Sequence, residues 1–366
     1  MAIGIGGAGS KIAAKLSPTS TAVNVSQTEL SKVDAANKIL AHTSTAKGQL
    51  QGSKKDPNIG RASFASIRQQ ILDIVEGETV ITSSGGGSGN GITSEVLDLL
   101  AKYDEIDQIR KTRFMVLLPY VHREPQEYIE NTLSFLKGPL SRAVDSTNTG
   151  NIYLFSNKAK FEGRISEDNY NQLMINSIKE FSSIPRKGKN LELLEGHIDE
   201  EDFEMYQAKS YFNYFTAFDY DPERYFGDQL NENQNPFLLQ PKTAVEALFL
   251  LEVPENFDST IFYNILDHFD AIQVKPVYSV VRNPALERPK VTVSLLYPSK
   301  PDELVEEFQR VSEETTNIRI QRSLEQKVQF EEVAVNMSNK AEQISYEKGQ
   351  PKDEVLTILK RLGKIK

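Results

Sequence analysis

The spacing of apolar residues changes several times along the chain, and each change predicts an element. Thr79-Val80-Ile81-Thr82 is a short β-like run. After the glycine-rich stretch Ser83 to Gly91 comes Ile92 to Leu100, which is helix-like. Phe114-Met115-Val116-Leu117-Leu118 is apolar throughout, as in a strand covered on both faces. Thr21 to Val25 and Asn151 to Phe155 also read as strands. Phe64 to Val75 places Ile67, Ile71, Leu72 and Val75 on one helical face, and Glu127 to Leu140 is helical with Pro125 near its start. Ser166 to Phe181 predicts a longer helix, opened by Ser166, Glu167 and Asp168 and ended at Pro185-Arg186-Lys187-Gly188-Lys189. This alternation predicts a parallel sheet covered by helices.

Farther on the pattern changes. Residues 203–238 are dense in aromatics, with Lys209 and Arg224 the only basic residues among them. Packing explains such a cluster better than single-strand stacking, which needs a basic groove. Residues 243–322 predict a small α+β unit. Its strands are Ala244 to Val253, Gln273 to Val281, Lys290 to Tyr297 and a short one at Ile318-Arg319-Ile320; its helices are 258–268 and 302–314. After the break at Gly349-Gln350-Pro351, Val355, Leu356, Ile358, Leu359 and Leu362 recur at helical spacing among Lys352, Lys360, Arg361, Lys364 and Lys366.

Composition narrows the class. The 366 residues are 39% hydrophobic and 25% charged, as in a soluble globular protein of two or three domains. No apolar run approaches the length of a membrane span, and the start, Met1 running into a glycine loop, does not read as a secretory signal. Cysteine is absent, which excludes disulfides and thiolate metal sites. The expected location is the cytoplasm, with no membrane partner. Net charge is −9, and residues 338–366 carry +3, so the remainder is −12. A body this acidic is not expected to grip nucleic acid directly.

The chemistry is concentrated in two glycine loops. Gly85 to Gly91 contains five glycines in seven residues, between a strand and a helix. Without Cβ atoms the backbone can press its N–H groups against an anion, and a helix start adds unpaired donors and a positive dipole end. The second loop is Gly4-Ile5-Gly6-Gly7-Ala8-Gly9-Ser10-Lys11. It satisfies G-x-G-x-x-G, with Glu29 20 residues beyond Gly9, and so leaves a nicotinamide-dependent oxidoreductase open. It fails the Walker pattern, because Ser10-Lys11 reverses the required order. A dinucleotide domain has no use for a second phosphate cradle, whereas a nucleoside triphosphate held between two loops uses both.

Gly85-Gly86-Gly87-Ser88-Gly89-Asn90-Gly91 resembles the G-G-G-T-G-[ST]-G signature of the tubulin/FtsZ superfamily, with Ser88 for Thr and Asn90 for Ser or Thr. Gly6-Gly7-Ala8-Gly9 resembles that family's first nucleotide loop. The likeness spans roughly residues 1–320 and is greatest to the TubZ branch, encoded by plasmids and phages. The resemblance implies an α/β fold with four parts. Residues 1–165 would be a Rossmann-like, parallel-sheet GTP-binding domain, and 166–240 a long core helix, acidic loop and aromatic-rich connector. Residues 241–330 would be a smaller α+β C-terminal domain, and 331–366 a C-terminal helix and basic tail.

It also implies a site for GTP/GDP with Mg2+, although no protein carboxylate stands out as a metal ligand. Gly6, Gly7, Ala8, Gly9, Ser10 and Asn24 would belong to it, with Gly85 to Gly91 cradling phosphate. Lys54, in the loop Gly52 to Gly60, would face the γ-phosphate, and Glu124, in Pro119 to Glu124, the ribose. Asn157 and Asn171 would bond the base, on which Tyr170 would stack; an amide suits guanine because it both donates and accepts. His197-Ile198-Asp199-Glu200-Glu201-Asp202 resembles the family's N-x-D-x-x-D segment, which completes the active site of the neighbouring subunit in a head-to-tail homopolymer. Asp199 and Asp202 would then polarise the attacking water.

For the TubZ branch the resemblance further implies filaments that move plasmid or phage DNA. The partner would be a small helix-turn-helix adaptor on centromere DNA, engaged by the basic tail. A phage tubulin that centres DNA and a cell-division FtsZ remain open beside it.

Overall fold

The computed structural model describes residues 1–45, 48–49, 51–102, 110–239, 243–298 and 305–322. Its strands in chain order are β1 (Ala2–Ile5), β2 (Thr21–Asn24), β3 (Asn37–Leu40), β4 (Ser44–Thr45), β5 (Gly48–Gln49), β6 (Thr79–Ser83) and β7 (Arg113–Leu118). They continue with β8 (Ile152–Ser156), β9 (Glu192–Gly196), β10 (Phe212–Asp219), β11 (Glu246–Val253), β12 (Pro276–Arg282) and β13 (Lys290–Tyr297). Among the described residues, eleven of them form one sheet in the order β3-β2-β1-β6-β7-β8-β10-β13-β11-β12-β9. From β3 to β10 every pairing is parallel; β13 then joins antiparallel to both β10 and β11. The predicted parallel sheet is present, and the C-terminal strands extend it.

The apolar run at Phe114–Leu118 becomes β7, buried along its length except at Arg113. The chain winds outward from β1 through β2 and β3, then returns to β6 on the other side of β1. The strand order therefore reverses between β1 and β6, and a crevice opens there at the strands' C-terminal ends. Both glycine loops lie at this point.

Helix boundaries depart from the periodicity in instructive ways. Gly6–Leu16 and Gly87–Leu100 are helices from their glycines onward, so most of each glycine stretch is a first helical turn. The predicted helix at Phe64–Val75 is two helices, Pro57–Phe64 and Arg68–Val75. The one over Glu127–Leu140 is α-helical from Gln126 to Phe135 and then π-helical over Leu136–Leu140, where Pro139 lacks the N–H an α-turn requires. The core helix is Glu167–Ser182, with Ser166 capping it through a bond from the Asn169 N–H. Pro185 does not end helical structure; it opens a further helix, Ile184–Asn190, where its missing N–H costs nothing. Ile318-Arg319-Ile320 is helical rather than extended, part of the helical stretch 305–322. The paired isoleucines suggested β propensity, but Phe308 and Val311, buried at a spacing of three, continue a helical period into it.

The aromatic segment packs, as its composition suggested. Phe181 of the core helix stacks on Phe215 of β10 at 4.6 Å and 7°, and Tyr153 lies edge-on to both. A half-buried ionic cluster reinforces this join. Lys187 Nζ bonds Glu180 (2.7 Å) and Glu252 on β11 (2.6 Å), while Lys290 on β13 reaches Glu180 at 2.7 Å. Burial opposes the charge on Glu180, but the two lysine bonds outweigh it and hold the carboxyl below its usual range.

Residues Met1–Val311 form one compact unit and Ser312–Lys366 a second, of which only the helical residues to 322 are described. The tail helix around Val355–Leu362 lies outside the described residues. No helix among the described residues is long and apolar enough to cross a membrane.

Candidate nucleotide site and its distant acidic segment

At the reversal point lies a cavity of about 540 Å³, at the C-terminal ends of β1, β6, β7 and β8. Gly6, Gly7 and Ala8 line it on one side and Gly85 to Gly89 on the other. Gly6 has φ +77°, and a Cβ there would come within 2.8 Å of the Gly89 nitrogen. The first turns of the two helices are therefore in backbone contact, which only glycine permits. Neither helix has a side-chain cap, so the first-turn N–H groups of both are left for a ligand. Two helix N-termini converging on one cavity make a strong anion site.

The remaining predicted residues divide into those that line the cavity and those behind it. Lys54, Glu124, Asn157, Tyr170 and Asn171 line it. Lys54 and Lys55 both take left-handed φ, 49° and 64°. The turn is held by the Asp56 N–H on the Ser53 carbonyl (2.8 Å) and by Asn131 Nδ2 on the Lys55 carbonyl (2.9 Å). Glu124 is clamped by Asn157 Nδ2 (2.9 Å) and the Tyr120 N–H (2.7 Å). The Tyr170 hydroxyl donates to the Ser156 carbonyl at 2.7 Å, and burial, with the charge of Glu124 nearby, pushes its phenol far above the ordinary value. At 1% exposure Tyr170 is a fixed wall rather than a free stacking platform.

Gly9, Ser10, Asn24, Asn90 and Gly91 do not line the cavity; they build it. A Cβ on Gly9 would stand 2.1 Å from the Ile81 carbonyl, so this glycine seats its helix on β6. A Cβ on Gly91 would stand 2.1 Å from the Pro57 carbonyl, which draws the helix Pro57–Phe64 against Gly87–Leu100. Ser10 Oγ donates to the Gly4 carbonyl at 3.0 Å. The buried Asn90 amide donates to the carbonyls of Ser84 (2.5 Å) and Asn131 (3.0 Å). That reach explains an amide where the family signature has a hydroxyl.

Asn24 Nδ2 donates to Glu29 Oε2 at 2.8 Å, which sets that carboxylate against Gly7. Glu29 had entered only as part of the dinucleotide pattern, yet it lines the cavity. Tyr128 and Lys160 line it too and had no sequence signal; Ser53 belongs to the loop Gly52 to Gly60, and Glu167 had entered only as a helix start. Glu167 accepts from Lys11 at 2.9 Å, and that bond keeps its carboxyl below the usual range. Ser88 Oγ donates to Ser53 Oγ at 3.0 Å.

Asp199 and Asp202 are elsewhere. Asp199 caps the helix Glu200–Gln207, its Oδ1 accepting the Asp202 N–H at 2.8 Å. The neighbouring Glu200 and Glu204 share a groove with Met1, Thr79 and Arg113, at the N-terminal ends of β1, β6 and β7. The glycine-lined cavity is at the opposite ends of the same strands. The 16-residue core helix, which contributes Glu167, Tyr170 and Asn171 to the cavity, spans about 24 Å between the two regions.

No protein-family model and no curated protein matches the sequence. Solved structures do match. A GTPγS-form protofilament of Bacillus thuringiensis serovar israelensis TubZ aligns at TM-score 0.71 and 14% identity, covering 87% of this chain and 93% of that one. CetZ from Methanosaeta thermophila aligns at 0.63 and 17%, covering 94% and 98%. The empty FtsZ dimer of M. jannaschii aligns at 0.57 and 18%, covering 81% and 87%. The chain has the tubulin/FtsZ fold. The resemblance drawn from the glycine signature thus holds at the level of fold across most of the chain. Within that fold, the reversal between β1 and β6 is where both glycine stretches meet.

Proposed function

We propose that this chain is a GTP-binding, GTP-hydrolysing protein that assembles head to tail into filaments, with hydrolysis at the junction between subunits. One observation carries the reading: two uncapped helix N-termini meet at a glycine-lined cavity, while Asp199 and Asp202 lie at the far ends of the same strands. Those carboxylates can serve a bound triphosphate only from a second copy stacked on the first. Structures similar to this chain include a GTPγS-form TubZ protofilament and a two-stranded TubZ filament, which supports this reading.

On this reading Gly6–Ala8 and Gly85–Gly89 hold the phosphates, with Lys54 at the γ end. Asn157 and Asn171 read the base beside Tyr170, and Glu124 faces the ribose. Mg2+, when bound with the triphosphate, supplies neutralisation of the charge shared by its terminal phosphates. Among the described residues no cluster of three or more carboxylate or histidine side chains could hold the ion alone. It would rest on phosphate oxygens, and the carboxylates that line the cavity are Glu29, Glu124 and Glu167. Asp199 and Asp202 of the next copy orient the attacking water.

In the cell, by likeness to the TubZ branch, such filaments would segregate plasmid or phage DNA in the cytoplasm through a small helix-turn-helix adaptor. The basic residues 338–366 would engage that adaptor. Light scattering and electron microscopy with GTP, GDP and a non-hydrolysable analogue test the core of this. Polymer with GTP and with the analogue, and none with GDP, is expected; no GTP-dependent polymer contradicts it. Removal of residues 338–366 should abolish adaptor–DNA binding and spare nucleotide binding.

A further inference from the structure

The acidic segment is held in place by a residue far from it in sequence. It follows β9, the last strand of the sheet, which pairs antiparallel with β12 and ends with Gly196 opposite Ser279. Gly196 has φ +60°, and a Cβ there would fall 2.4 Å from the Tyr278 carbonyl, so only glycine can turn the chain out of the strand at this point. Two residues later the Ile198 N–H donates to Ser279 Oγ at 2.7 Å, inside the protein. Ile198 and Ser279 are both fully buried. Gly188, on the helix Ile184–Asn190, closes the other side; a Cβ there would stand 3.4 Å from the Ile198 carbonyl. The next residue is Asp199, whose carboxylate caps the helix that carries Asp202.

The bond crosses from the C-terminal strands to the segment that follows the core helix. At Ile198 a side-chain oxygen receives the N–H, and the backbone ladder has already ended. Without that oxygen a buried N–H would be left unpaired, which favours a shift of the segment toward other partners. A displacement of about 1 Å at a catalytic group lowers turnover on the order of a hundredfold.

We propose that Ser279 is a positioning residue for hydrolysis: its hydroxyl fixes Ile198 and thereby sets the direction in which Asp199 and Asp202 present their carboxylates to the neighbouring copy. This rests on the split-site reading above. Ser279 touches neither nucleotide nor water itself, so its removal should act on turnover and not on binding.

The test uses the full chain with Ser279→Ala, Ser279→Thr and Ser279→Cys, the last two keeping a hydroxyl or a weaker sulfur acceptor. Affinity for a fluorescent GTP analogue and polymer mass with a non-hydrolysable analogue are measured alongside GTP turnover per assembled subunit. Ser279→Ala should lower kcat at least tenfold, with KM and nucleotide affinity changed less than twofold. Ser279→Thr should restore the rate and Ser279→Cys fall between. In an Asp202→Ala background Ser279→Ala should cause no further loss, because both act through one segment. Wild-type turnover in Ser279→Ala, a parallel loss of nucleotide affinity, or full additivity with Asp202→Ala would overturn the proposal. If Ser279→Ala does not fold, equal rates for the Thr and Cys variants would overturn it instead. A wild-type chain that assembles without hydrolysing GTP is a different outcome, and it counts against the proposed function itself.

Discussion

The two ends of the core helix are built on opposite principles. At its N-terminus the nucleotide cavity is a backbone construction, in which glycines let two helix starts touch and side chains mainly brace them. At its C-terminus the acidic segment is a side-chain construction, in which the exposed Asp199 and the half-buried Asp202 follow a buried isoleucine whose N–H donates to a serine hydroxyl. The first end is shaped by the absence of side chains and the second by their charge. On the proposed function the phosphate-binding groups are at one end and the water-orienting acids at the other, and stacked copies would join them.

Substitutions that damage one end and spare the other separate the two roles. The largest effect is expected from Gly89→Val. Its Cβ would meet the Thr82 hydroxyl at 2.9 Å and the carbonyls of Ser83 and Ile5 at 3.0 and 3.2 Å, and GTP affinity should fall on the order of 100-fold or more. Isothermal titration checks this, and near-normal affinity would mean the helix starts are not the phosphate site. Asp202→Ala, at the other end, should leave affinity unchanged and lower turnover by roughly 100-fold or more, while filaments persist. Electron microscopy and phosphate release measured together distinguish that from a general assembly defect.

A smaller change is expected within the cavity. Asn157→Ala removes an amide that bonds Glu124 and that, on the proposed function, reads the base, so the preference for GTP over ATP should drop about tenfold. Competition binding reads this directly; an unchanged preference would assign base reading elsewhere.

The smallest effect concerns the join between the core helix and the C-terminal strands. The Glu180 carboxyl lies below its ordinary value of 4.5 in the folded chain, so its contribution to stability is present above that value. It is lost as pH falls through the lower, folded value. The difference in melting temperature between wild type and Glu180→Gln should therefore shrink between about pH 6 and pH 3. A difference independent of pH would mean that the ion cluster with Lys187 and Lys290 acts through packing alone.

The legibility of these regions in the sequence differs for physical reasons. Glycine loops are visible because backbone approach demands a rare composition, so Gly6 and Gly85–Gly89 stood out. The strands β7 and β8 were visible because burial on both faces leaves continuous apolar runs, and β6 as a short run rich in β-branched residues. By contrast, β9 (Glu-Leu-Leu-Glu-Gly) is an exposed edge strand with no period to follow. Asn131 and Ser279 carry no motif, since their value lies in partners 46 and 81 residues away. Gly9, Asn90 and Gly91 were legible as part of a signature but not in their individual tasks, which depend on how helices pack behind the cavity.

The central claim is that a working site needs two copies, and mixing two inactive chains tests it most directly. Gly89→Val lacks a competent pocket but keeps the acidic segment; Asp202→Ala keeps the pocket but lacks the acid. Each alone should release phosphate from GTP at no more than a few per cent of the wild-type rate, an order-of-magnitude expectation. Mixed, they should recover hydrolysis in proportion to the junctions at which a Gly89→Val subunit presents its acids to GTP held by an Asp202→Ala subunit. A mixture as inactive as its components, or Asp202→Ala hydrolysing at the wild-type rate by itself, would contradict the split site.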